Sequence, residues 1–411
     1  MAGLAGKAEG LRYSRKLAAE RLPLVIDEER RETWRSRLEE GLRGKEAAGP
    51  ARPELPAEEE RICADIRAET ESLNRNNLTR TDAYWRVYRE HPELRWAFLA
   101  HMVSRNGGWN MTDLKGRPLS RLLDERLAAD IFGLLESCNS LIFGDAYPQL
   151  RLYAESRRLG RPLFHLLARF GVSVFMEPLW RDFWTTGEPL AISEALIVNE
   201  QHYIQARVVE DPYYRENVFG SLAFKGQPLL QTNQTVFPLW KGEPGDGGKP
   251  MRLAGRVLEN FEDLRERIEY GKCLYGLLFA YPKVLRSAVA FARHVPHTGS
   301  RADYWPHRYT ARRHEKGDAP VCTECVAGDV RIPKWLSPPL QEAWPDRPLR
   351  RAEERDWCRG PDALAAIATI RPPRTIDLTH EHLFGQRKLQ AAELLERSLM
   401  NGASKRRTGL G

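Results

Sequence analysis

Cysteine is scarce in this chain. Its 411 residues hold six, at Cys63, Cys138, Cys273, Cys322, Cys325 and Cys358, too sparse for a disulfide-stapled scaffold. No uninterrupted apolar run approaches the roughly 18 residues of a membrane span. The opening MAGLAGKAEGLRYSRK places charges where a secretory signal needs an apolar core. These absences point to a reducing cytoplasm and no membrane insertion. Also missing are a phosphate-binding loop, a dinucleotide fingerprint and a G-x-S-x-G elbow, which leaves the familiar nucleotide and hydrolase chemistries without support. Period-two alternation is rare and no internal repeat is found.

What is present favours helix. Hydrophobic residues make up 42% and charged ones 29%, an ordinary globular balance in a Leu/Ala/Arg/Glu-rich texture. The expected fold class is all-α: a multi-helix globular body with an irregular Pro-rich C-terminal wrap. Residues 1–55 read as a helical extension and linker, 56–298 as the helical core, 299–379 as an irregular segment packed on that core, and 380–411 as a C-terminal helix with a basic tail. Helices are expected near Leu119 to Phe143, Ala146 to Leu159, Leu190 to Val209, Phe261 to Ala280 and Lys283 to His294. SVFMEPLW and QTVFPLW read as short extended pieces, though the proline in each argues against a central strand.

Three constellations could carry chemistry. In HMVSRNGGWNMTDLKG, a buried helix beginning at Pro92 is expected to stop at Gly107 or Gly108 in a left-handed cap. Arg105, Asn106, Trp109, Asn110 and Asp113 crowd that turn, with Tyr304 and His307 of HTGSRADYWPH as the opposing wall. Such a set makes either a polar pocket or a buried structural network. Second, Cys322 and Cys325 form a Cys-x-x-Cys pair to which His314 and Cys358 could add the remaining ligands of a tetrahedral zinc; free thiols in a loop are the competing reading, and no other cofactor is expected. Third, the basic aromatic segment Arg301 to Arg313 could contact phosphates and stack on bases, or bury its rings and leave its arginines in water. The net charge of +7 supports an anionic partner only weakly. Glu136, Asn139, Asp145, Glu200 and His202 stand in apolar helices, but lack the Glu-x-x-His spacing of a carboxylate-bridged metal site.

HPELRWAFLAHMVSRNGGWNMTDLKG, RVLENFEDLRERIEYGKCLY and HTGSRADYWPH resemble blocks of the YppC-like family, a domain-of-unknown-function group from spore-forming bacteria. The likeness covers about Ile62 to Asp356. It implies a cytoplasmic bacterial protein with a helical fold and transfers no catalytic residue. Three functions remain open: a helical interaction or scaffold protein with a protein partner, a small-ligand binder or enzyme with its pocket at the Gly107–Gly108 turn, and a nucleic-acid-associated factor using Arg301 to Arg313.

Overall fold

The computed structural model describes residues 2–47, 54–221, 233–240, 251–313, 334–348, 356–389 and 391. Its α-helices in chain order are α1 Ala2–Ala18, α2 Arg30–Ala47, α3 Ala57–Leu73, α4 Asn77–Glu90, α5 Arg95–Asp113, α6 Leu119–Leu122, α7 Glu125–Leu159, α8 Met176–Thr186, α9 Pro189–Ile204, the single turn α10 Pro212–Tyr214, α11 Leu264–Phe279, α12 Pro282–His294 and the short α13 Leu340–Ala343, with a further helical stretch at 379–389. Two small sheets accompany them among the described residues: β1 Gln234–Pro238 antiparallel to β2 Leu253–Val257, and β3 Tyr309–Thr310 parallel to β4 Trp335–Leu336. The fold is mainly all-α.

Local signals set many of the ends. Asn76 accepts from Leu78 N and Thr79 N while Thr79 Oγ1 accepts from Asn76 N, a capping box that starts α4. Asp124 caps α7 through Leu127 N at 2.8 Å, and Gly160 closes it in the left-handed region at φ 69°. Instead of breaking near Gly144, α7 continues through Pro148. Both faces of its second half are packed, and burial outweighs the hydrogen bond that proline forgoes. This helix is long and apolar enough to cross a membrane by length and composition, and about half of its most apolar window is buried within the body. SVFMEPLW is no strand, because α8 begins inside it, whereas QTVFP does form β1.

At the centre lies α9, whose residues 190–199 are all buried. It packs against α5, α7, α8 and α11. Two apolar clusters form around this arrangement. The larger includes Trp96, Phe98, Trp180, Ile197 and Leu278 and extends to Leu17, Trp34 and Leu38 of the first two helices. The N-terminal helices therefore share the main core. The smaller cluster gathers Met111, Leu114, Phe132, Leu134, Ile204 and Val218. The described residues within 299–379 run over the body in short turns and bridges, one of them pairing Leu24 with Ile370.

The glycine pair does not end a helix. α5 runs unbroken from Arg95 through Gly107 and Gly108 to Asp113, and neither glycine has positive φ. What Gly108 supplies is closeness: a Cβ there would stand 2.7 Å from both Asn77 Oδ1 and His297 Cε1. At Gly107 the nearest such contact is an ordinary 3.6 Å, to Asn139 Nδ2. Gly108→Ala should therefore destabilise by about 1–3 kcal/mol through overpacking. Gly107→Ala should be neutral or stabilising by up to ~1 kcal/mol, since alanine is the better helix former. Urea denaturation of both variants checks this, and equal effects would contradict the packing account.

Candidate ligand-binding cavity

The residues that crowd the end of α5 divide between two environments. Asn106 spends its amide on backbone: Nδ2 donates to Met102 O at 2.8 Å and Val236 O at 3.0 Å, and Oδ1 accepts from Val236 N at 2.9 Å, tying β1 to α5. Arg105 donates to Val295 O and Pro296 O at 2.9 and 2.7 Å beneath the rings of Phe291 and Tyr304. Trp109 lies between Trp305, stacked at 5.0 Å, and Tyr304, edge-on at 4.5 Å. The Arg301 guanidinium sits 4.7 Å from the Trp109 ring and donates from Nε to Asp113 Oδ2 at 2.6 Å. This set is a buried strap joining α5 to residues 295–309. Burial raises the Asp113 pKa against the pull of Arg301. His307 is half-buried in the same turn and does not reach the cavity described next.

Asn110 and Asp113 do reach it. A cavity of about 480 Å³ opens where the two apolar clusters meet. α5 contributes Leu99 and Val103, α7 contributes Leu134, Cys138 and Asn139, α9 contributes Glu200, Gln201 and Ile204, and α11 contributes Arg267 and Leu274. Its mouth includes Glu259, Asn260 and Glu262, which face solvent. The wall is chiefly apolar, interrupted by a few polar groups. Arg80 and Glu136 neutralise one another at 2.6 Å. The amides of Asn110 and Asn139 have no partner among the described residues. Glu200 is deep in the protein yet keeps part of its surface accessible, and that surface faces the cavity. Burial pushes its pKa up to about 8, against hydrogen bonds from Gln201 and Trp96. The Cys138 thiol is likewise pushed up to about 12, so it is no nucleophile at neutral pH.

The remaining sequence candidates fall elsewhere. His314, Cys322 and Cys325 lie outside the described residues. Cys358 is buried with Sγ 3.6 Å from Gly360 O, its pKa raised to about 11 by burial. Among the described residues no three His, Cys, Asp or Glu side chains are grouped to hold a metal. In the basic aromatic segment, Arg301, Tyr304, Trp305 and Tyr309 are turned inward, while Arg312 and Arg313 are exposed. The rings that base stacking would need are already packed against protein. Gln201 and Arg267 were not singled out by sequence.

A family model described as protein of unknown function (DUF2515) matches residues 72–370. The chain belongs to this family. The match takes in every residue that lines the cavity, from Arg80 to Leu274. An uncharacterized protein, YppC of Bacillus subtilis (strain 168), is 36% identical over 340 residues, covering 82% of this chain and 96% of that relative. No solved structure matches the chain.

Two measurements test how this region of the DUF2515 fold is held. Asp113→Asn leaves the buried Arg301 without its counter-charge and should cost roughly 1–3 kcal/mol; an unchanged urea midpoint would make Asp113 a cavity residue without a structural role. For Glu200, the folded pKa of about 8 lies above the ordinary 4.5. Between those values only the folded state holds the proton, so this group's stabilisation is complete below pH 4.5 and is lost as pH rises to 8. Glu200→Gln removes that dependence. The variant should match the parent near pH 4.5 and exceed it by on the order of 2 kcal/mol at pH 8, a figure reduced for contact with cavity water. A constant difference across the range would show that Glu200 titrates normally.

Proposed function

We propose that this protein binds a small, predominantly apolar molecule in the cavity between α5, α7, α9 and α11. The observation that carries the reading is the cavity itself: a roomy, chiefly apolar recess between packed helices, open to solvent at its Glu259–Glu262 mouth. Apolar wall left facing water over such a recess forgoes burial and packing contacts that a bound apolar molecule supplies. Binding sites have the opposite logic, with apolar walls for affinity and a few polar groups for orientation. An engineered void of roughly 150 Å³ takes one benzene. By proportion the present volume takes about 20 non-hydrogen atoms. This favours the small-ligand reading over the scaffold reading, and moves its site from the glycine pair to a space one helix face away.

The test uses a neutral apolar fluorophore, N-phenyl-1-naphthylamine, with variants that fill the space. Val103→Phe and Ala100→Leu project new carbon into the cavity from α5. The parent protein should bind the probe with saturable enhancement, and each variant should weaken binding about tenfold or more while keeping or raising Tm, because filling a void restores contacts. A parent that does not bind the probe, or filled variants that bind it equally well, would refute the cavity as a site.

A further inference from the structure

Arg267 is 3% exposed and lines the cavity. Its partners are all neutral: Nε donates to Gln201 Oε1 at 2.8 Å, and the two terminal nitrogens donate to Phe261 O and Gln205 Oε1. Three of its five N–H groups are thereby used. No carboxylate among the described residues comes within ion-pair distance. The other cation on the wall, Arg80, is matched by Glu136, and Asp113 is matched by Arg301. Buried charges in folded proteins are ordinarily paired, because an unpaired ion forfeits its hydration without return. Arg267 is therefore a buried positive charge with no carboxylate in contact, Asp263 and Glu210 acting on it only from a distance, held in a fixed orientation by two glutamines beside an apolar space.

Glu200 completes the arrangement. It is linked to Arg267 only through the Gln201 side chain, whose Nε2 donates to Glu200 Oε1 at 3.1 Å while its Oε1 accepts from Arg267. A carboxyl kept protonated by burial is itself a donor. The polar side of the cavity thus offers guanidinium N–H groups and an acid O–H, with the free amides of Asn110 and Asn139 nearby.

Resting on the cavity reading above, we propose that the ligand is a monocarboxylate: an apolar body whose carboxylate docks against Arg267 and within reach of the Glu200 acid. A single buried cation with no carboxylate in contact fits a monoanion. A phosphate monoester would bring a second charge with no cation to meet it. Glu259 and Glu262 at the mouth stand in water, where salt screens them. They slow the approach of an anion without cancelling the attraction inside.

The experiment compares two probes of the same chain length, dodecanoate and 1-dodecanol, as competitors of N-phenyl-1-naphthylamine at pH 7 and below the micellar range. Dodecanoate should displace it at least about tenfold more effectively, the size of a charge-assisted contact in a desolvated site. Gln201→Glu puts a carboxylate against Arg267 Nε and should bring the two probes to parity, the dodecanoate-to-dodecanol ratio falling at least about tenfold. Arg267→Gln should do the same if it folds; if it does not, Gln201→Glu and the parent ratio decide. Dodecanol binding as well as dodecanoate to the parent would overturn the carboxylate assignment and leave the cavity reading intact. A preference for dodecanoate that survives Gln201→Glu would overturn Arg267 as its anchor. Failure of the naphthylamine to bind at all would remove the cavity reading, and this one with it.

Discussion

Everything in this molecule is arranged around one helix that has no solvent face. Residues 190–199 of α9 are buried on every side, so the helix needs a complete shell of neighbours, and each polar side chain on it needs a partner from that shell. Glu194 receives Ala368 N at 3.0 Å and lies 3.6 Å from Lys272 Nζ, and Lys272 in turn donates to Ala366 O. Asn199 donates to Asp145 at 2.5 Å and accepts from Trp357 Nε1 at 2.8 Å. These bonds fasten the irregular C-terminal segment to the body. The wrap is the outer half of the shell that α9 requires, and its irregularity reflects single polar groups being met one at a time.

The shell closes well around the first ten residues of α9 and less well beyond. From Glu200 onward the sequence turns polar, the helix passes into a wider turn at Gln205–Val209, and the two apolar clusters separate. The cavity occupies that separation. Glu200 and Gln201 of α9, with Arg267 of α11, line it, while Glu194 and Asn199 earlier on α9 hold the body together.

Much of this was legible in the chain. The all-α class, the buried character of WAFLAHMV, the short extended QTVFP and the irregular Pro-rich region all follow from periodicity and turn chemistry. The errors share a physical origin. Glycines after an apolar run read as a cap, yet Gly108 answers to Asn77 and His297, residues far away in sequence that approach too closely for a Cβ. Phe143 and Ala146 read as the end of one helix and the start of the next, and burial carried a single helix through the Gly144 between them. Glu200 and Asn139 were visible as polar residues in apolar helices, but nothing local showed that they share one cavity. Arg267 was invisible for the opposite reason: in LRERIEYGK it looks like part of a solvated face, and only the packing of α11 onto α9 makes it a buried charge.

The joining of distant segments has a bearing on how the chain reaches this state. Leu24 pairs with Ile370, Ser14 Oγ accepts from Ile376 N and Asp377 N at 3.1 and 3.0 Å, and Leu22 N donates to Ala280 O. Contacts spanning so much of the sequence carry a large loop-closure entropy and form late. On a ribosome, α1 and α2 emerge long before the stretch around 370–377 and wait, their apolar faces partly uncovered, until it has been made. During that interval Leu17 and Leu24, buried in the finished fold, have no C-terminal segment to cover them, and transiently uncovered apolar surface of this kind is where an unfinished chain is open to aggregation.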